Sequence, residues 1–222
     1  MKINFLGDSI TQGCFECFIN EQGQIDTVFD TEQSYGAKVK HILQTLYPKS
    51  QLNFINSGIS GDCAVNALKR LERDVLKYNP DLVIMSFGTN DAGAGLAGLE
   101  CYKNSLEQIF ARLKEAGCDV IFLSSVLKNS YVSAHLKEEA LREIAKQQVA
   151  LVEQDMDAKY FAEAEKLCQK YGFAFCDCHA KWKRMQACGV DTTNLLANYL
   201  NHPIRELHWL FAMSIVETIF EK

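Results

Sequence analysis

The sequence predicts an α/β fold, a three-layer α/β/α sandwich around a five-stranded, mostly parallel sheet. Two observations carry this reading. Short apolar runs alternate with longer stretches of helical spacing, the pattern that parallel strands joined by crossover helices leave in a sequence. Polar turn blocks also follow directly on several of those runs, at the strand ends where an open parallel sheet collects its ligand.

The first strand spans 2–6, an apolar run that breaks at Gly7-Asp8-Ser9 before Ile10-Thr11-Gln12-Gly13. This spacing reads as a strand delivering a serine to a turn. A helix starting near Ser9 would aim its free N–H groups at anything bonded to the hydroxyl, which suits acyl transfer; equally, Asp8 and Ser9 could simply cap that helix. Residues 15–33 are too long for an ordinary connection and are read as an added segment that rims a pocket or covers exposed sheet. Helical spacing follows over 34–46, a strand over 51–55, a helix over 64–76 and a strand over 82–87. A helix at 99–116 leads to a strand at 120–124, and a second added segment, 128–136, carries Tyr131 and His135. One long helix over 138–171, a strand over 173–176 and a closing helix over 206–220 complete the chain.

The 222 residues suffice for one domain, 1–222, with a sizeable core, and no linker, repeat or low-complexity tract divides them. A hydrophobic share of 48%, a charged share of 23% and a net charge of -5 describe a globular protein and argue against nucleic acid as the main partner. No apolar run approaches membrane-spanning length and no signal core opens the chain, so no membrane partner and a cytoplasmic location are expected. Nine cysteines, an odd and scattered set, are read as reduced thiols. Cys14 and Cys17 with Cys176, Cys178 and His179 supply zinc-type ligands, but Cys-x-Cys-His lacks finger spacing, so neither metal nor cofactor is expected.

Four blocks in order resemble the SGNH, or GDSL, hydrolases. Gly7-Asp8-Ser9-Ile10 is similar to the family's first block, and Asn56-Ser57-Gly58-Ile59-Ser60-Gly61-Asp62 to its second. Phe87-Gly88-Thr89-Asn90-Asp91 is similar to the third, and Asn201-His202-Pro203 to the fourth. The resemblance implies a flavodoxin-like SGNH fold in which Ser9 is the nucleophile and His202 its base. It further implies that the Ser9 N–H, the Gly61 N–H and the Asn90 side chain donate to the oxyanion. Each residue alone has a blander reading: Gly61 and Asn90 are ordinary turn residues.

Of the five histidines, His41 lies in an amphipathic helix, His135 on an added loop and His179 just after a strand. His208 competes with His202. The Asn-His-Pro turn favours His202, with Pro203 as a first helical residue and His208 inside the helix. One position departs from the family. Where it places an aspartate three residues before the histidine, this chain has Tyr199, and no carboxylate occurs between Asp191 and His202. Either a backbone carbonyl or Asn198 orients the ring, giving a Ser-His dyad, or Asp191 or Asp177 folds in.

The expectation is a serine esterase that removes a small acyl group, acetyl foremost, from a carbohydrate or other small-molecule ester. A thioesterase or lysophospholipase of the same fold, and a catalytically impaired binding module, are the alternatives. Oligomeric state is not legible.

Overall fold

In the computed structural model, which describes residues 1–221, the opening apolar run forms strand β1 (Lys2–Gly7), buried from its second residue onward. Helix α1 (Ser9–Gln12) follows at once, and then a hairpin of β2 (Cys14–Ile19) and β3 (Ile25–Phe29). The chain continues through α2 (Tyr35–Leu46), β4 (Asn53–Gly58), α3 (Ala64–Asp74), β5 (Leu82–Ser86), α4 (Gly95–Glu115) and β6 (Asp119–Leu123). It closes through α5 (Glu139–Glu153), α6 (Met156–Tyr171), β7 (Ala174–Cys176), α7 (Cys178–Ala187) and α8 (His208–Phe220).

Five strands pair in the order β4-β1-β5-β6-β7, and every pair is parallel. The period-2 alternation of each strand divides the core between two faces. Leu6, Val83, Met85, Val120 and Phe122 pack with α3, α4 and α6. Ile3, Phe5, Ile84, Ile121 and Leu123 pack with α2, α7 and α8, where Trp182 and Phe211 are fully buried. The expected three layers are therefore present.

The chain leaves β1 for β4 on one side and then crosses to β5 on the other, so the connections diverge beside β1, where open α/β sheets form their ligand crevice. Register makes that crevice narrow. Gly7 of β1 stands level with Gly58 of β4 and Ser86 of β5, so the three following loops leave the sheet side by side. Gly58 is required by this crowding: a Cβ there would lie 2.3 Å from the Gln12 backbone nitrogen.

Several elements differ from the sequence reading. Residues 15–33 are largely a β-hairpin, closed by Asn20, whose Oδ1 accepts the N–H groups of Gln22 and Gln24. The strand expected at 51–55 runs instead over Asn53–Gly58, carried forward by its pairing with β1. The single helix expected over 138–171 breaks at Asp155, which adopts a left-handed φ of 50°. The break has a packing cause: α6 buries a stripe including Tyr160, Phe161, Ala164 and Leu167, whereas α5 buries only Leu141 and Ala145, so the two need different directions. Helix α7 was not expected at all; it starts at Asp177, whose side chain accepts the Ala180 N–H at 3.0 Å. Pro203 is not a first helical residue. It forms an isolated bridge with Leu196, and α8 begins only at His208.

Candidate active site

Asp8 caps α1 by accepting the Ile10 N–H at 3.0 Å, which places Ser9 at the first position of the helix. Ser9 Oγ lies 2.9 Å from His202 Nε2, a contact spanning 193 residues of sequence. On the far side of the ring, Nδ1 lies 2.8 Å from the main-chain oxygen of Phe15. A carbonyl can only accept, so Nδ1 carries the proton. Nε2 is then the free lone pair and accepts from the Ser9 hydroxyl.

The histidine is held by its own turn. Asn198 Oδ1 accepts the N–H groups of Leu200, Asn201 and His202, and the Ala197 N–H donates to the His202 carbonyl. Tyr199 stands in the left-handed region at φ 54° and stacks on His135 with centroids 4.9 Å apart. The added segment after β6 braces this turn, since the Asn129 N–H donates to the Leu200 carbonyl at 2.8 Å.

Of the four orienters left open by the sequence, the backbone carbonyl is the one that touches the ring. Asn198 shapes the main chain. Asp191 accepts from the Tyr131 hydroxyl, the Thr193 N–H and the Asn194 side chain, while Asp177 accepts from the Ser124 hydroxyl and caps α7.

Ser9 and His202 are 4% and 5% exposed, so the pair works in a largely dry setting. Burial pushes the His202 imidazolium below its ordinary pKa; the Phe15 carbonyl and the Glu16 charge pull the other way and lose. The neutral ring, the form able to take a proton, is favoured at neutral pH. Asp8 is pushed up to about 7, chiefly by burial, with Asp91 and Asp62 adding repulsion and the Ile10 N–H opposing.

His208 is a different kind of group. The Tyr35 N–H donates to its Nδ1 at 2.9 Å, and the ring packs against Phe15 and Phe211. Burial lowers its pKa to about 3, helped by the positive charges of Lys38, His202 and Arg205. His41 is exposed and meets the edge of Trp209, and buried His179 places Nδ1 3.1 Å from the Val126 carbonyl.

Gly61 sits in the loop after β4 with φ 74°, and a Cβ there would meet nothing within 4 Å. Asn90, in the loop after β5, donates from Nδ2 to the Asp62 carbonyl at 2.9 Å, which ties the two loops together. Asp91 reinforces this by accepting from the Ala64 and Gly88 N–H groups.

Two buried ion pairs, neither singled out from the sequence, hold these loops in place. Arg70 pairs with Asp62 at 2.6 Å and donates to the carbonyls of Ser57 and Gly7, fastening the ends of β1 and β4 to the Gly61 loop. Lys128 pairs with Asp157 and donates to the Thr89 carbonyl at 2.8 Å, immediately before Asn90. A lone basic residue in an amphipathic stretch reads as surface, so neither carried a sequence signal. All nine cysteines are free, and among the described residues no three His, Cys, Asp or Glu side chains are grouped to hold a metal ion. Likewise, no helix among the described residues is long and apolar enough to cross a membrane.

Residues 5–210 match the GDSL-like lipase/acylhydrolase family. Over 90 residues the chain is 34% identical to an acetylxylan esterase of Geobacillus stearothermophilus, covering 40% of this chain and 39% of that protein. Over 79 residues it is 32% identical to an arylesterase of Vibrio mimicus, covering 35% and 38%. The alignments thus span less than two-fifths of either relative's length. Among solved structures, a mutant of Axe2, an acetyl-xylooligosaccharide esterase from Geobacillus, superposes with TM-score 0.71 at 21% identity, covering 98% of this chain and 93% of that one. A two-domain esterase active on acetylated mannans superposes with TM-score 0.68 at 19% identity, covering all of this chain and 48% of that one. These structural likenesses speak for the fold, and the family match over 5–210 speaks for descent: the chain belongs to the GDSL-like lipase/acylhydrolase family, the SGNH ester hydrolases.

Proposed function

We propose that the protein is a serine esterase that hydrolyses small acyl esters, acetyl foremost, of a carbohydrate or other small metabolite through a Ser9-His202 dyad. The observation that carries this is the hydrogen-bonded line from Ser9 Oγ through the His202 ring to the Phe15 carbonyl, at 2.9 and 2.8 Å. It supplies a nucleophile, a base in the correct tautomer and an orienter within one contact chain.

In this mechanism Ser9 Oγ attacks the ester carbonyl carbon as its proton passes to His202 Nε2. The imidazolium keeps its Nδ1–H on the Phe15 carbonyl, whose partial negative charge stabilises it less than a full carboxylate would. The Ser9 and Gly61 N–H groups and Asn90 Nδ2 receive the oxyanion, each donor contributing about 3 kcal/mol to the transition state. Collapse breaks the ester C–O bond, and the Nε2 proton leaves with the alkoxide. Water, deprotonated by the same nitrogen, then frees Ser9 from its acyl group. The intact and buried Ser9-His202 contact favours this reading over a catalytically impaired binding module.

The preference for a short acyl group and a sugar alcohol draws on the named activities of the acetylxylan and acetyl-xylooligosaccharide esterases. The test is a series of 4-nitrophenyl esters of increasing chain length, followed by acetylated xylo- and manno-oligosaccharides. The acetate should give the highest kcat/KM. Folded protein that hydrolyses none of them, or that prefers long acyl chains, would overturn the proposal.

A further inference from the structure

Beside the loop that carries Asn90 there is a cleft of about 460 Å³ between this loop and helix α5. Its lining joins Asn90 and Asn201, the neighbour of His202, to Thr89, Lys128, Gln147 and Gln148. It therefore opens beside the reaction centre, and it is far larger than an acetyl group needs. We propose that this cleft is the subsite for the alcohol half of the ester, and that the alcohol it accepts is an uncharged polyhydroxylated one, a carbohydrate unit.

Two unmet polar atoms argue for hydroxyl groups. Thr89, 2% exposed, has an Oγ1 with no hydrogen-bond partner among the described residues, and Gln148 Oε1 is equally buried and unpartnered. Buried polar atoms are ordinarily satisfied, and each one left alone costs about 1–3 kcal/mol. An aliphatic acyl chain in this space would leave both unpaired. A sugar offers each of them a hydroxyl that can donate or accept, and the exposed Gln147 amide adds further donors and an acceptor at the mouth.

The charge of the cleft points the same way. Its one cationic side chain, Lys128, is already paired with Asp157 and donates to the Thr89 carbonyl, so no uncompensated charge is available for an anionic or cationic ligand. Ile144 and Leu151 on the α5 side offer apolar surface to the C–H face of a pyranose ring. The short, polar, singly buried helix α5 thus acquires a role that its weak core packing does not explain.

This inference rests on the esterase reading above, and the experiment separates the two. The readout is the ratio of kcat/KM on acetylated xylotriose or acetylated mannotriose to kcat/KM on 4-nitrophenyl acetate, for wild type, Gln148→Leu and the near-isosteric Thr89→Val. Each variant should lower the ratio for the preferred sugar ester about tenfold, as loss of a matched hydrogen bond to an uncharged group does. Thr89→Val alters no exposed surface and Gln148 is on the accessible side of α5, so thermal melting checks that both are folded. A ratio unchanged in both folded variants, or a wild type that cleaves the aryl ester but neither sugar ester, would overturn the subsite and leave the esterase standing. A wild type inactive on every ester would overturn both.

Discussion

His202 Nδ1 hydrogen-bonds the main-chain carbonyl of Phe15 at 2.8 Å, across 187 residues of sequence. The position three residues upstream, where the family's aspartate would stand, holds Tyr199, which points its ring at His135 instead. Fixing a tautomer requires an acceptor at Nδ1, and a carbonyl meets that requirement without contributing a full charge.

The first consequence concerns the carboxylates. Asp191→Asn and Asp177→Asn should each retain most of the esterase activity, because both side chains are engaged elsewhere, on Tyr131 and Asn194 or on Ser124 and α7. His202→Ala should nearly abolish it. Since a wrong tautomer alone can cost about 10⁴ in rate, a large loss of kcat in folded Asp191→Asn would show that a carboxylate reaches the ring after all.

A second consequence is the pH profile. Because burial holds the His202 pKa below its ordinary 6.5, the acid limb of kcat/KM for a non-ionising ester should have its midpoint below that value. Activity should be flat from there up through neutrality. A midpoint above 7 would mean that the ring is stabilised in its charged form, contrary to the environment described.

Asn90→Ala should lower kcat by roughly two to three orders of magnitude, since an oxyanion donor acts mainly in the transition state. Its hydrogen bond to the Asp62 carbonyl makes a stability loss of about 1 kcal/mol expected as well, readable in chemical denaturation. Gly61→Ala should cost about 1 kcal/mol through its left-handed φ rather than through any clash within the protein. Wild-type turnover in folded Asn90→Ala would remove Asn90 from the mechanism.

His208 should act on stability. Its folded pKa of about 3 lies below the ordinary 6.5, so between those values the unfolded chain binds the extra proton. The stability it protects is complete above 6.5 and is lost as pH falls through the window, at about 1.4 kcal/mol per pH unit. His202 shifts in the same direction. Asp8, raised to about 7, works oppositely, favouring the folded state as pH falls from 7 toward 3.8, so the effect is best read by difference. Between pH 7.5 and 5.5, His208→Gln should lose about 1.4 kcal/mol less than wild type, measured by urea unfolding. Identical pH slopes would refute this.

The sheet and the four blocks were legible because they are local patterns: an apolar run, a glycine turn, a serine or asparagine at the strand end. The Ser9-His202 contact followed from the blocks together, not from spacing. What escaped had physical reasons. The hairpin at Cys14–Phe29 exposes Phe18, Ile25 and Phe29, so its alternation does not separate apolar from polar faces. The break at Asp155 uses a left-handed conformation without a glycine to mark it. Phe15 orients His202 through its backbone, which no side-chain pattern can announce. Arg70 and Lys128 look like surface charges until the ends of the strands close around them.

The central claim is that Ser9, activated by a histidine held on the Phe15 carbonyl, forms the acyl-enzyme. The most direct measurement is labelling of the intact protein with a fluorophosphonate, followed by peptide mass spectrometry. The account predicts a single adduct on Ser9, formed far more slowly in His202→Ala and at near wild-type rate in Asp191→Asn. An adduct on another residue, or an active protein that takes none, would contradict it.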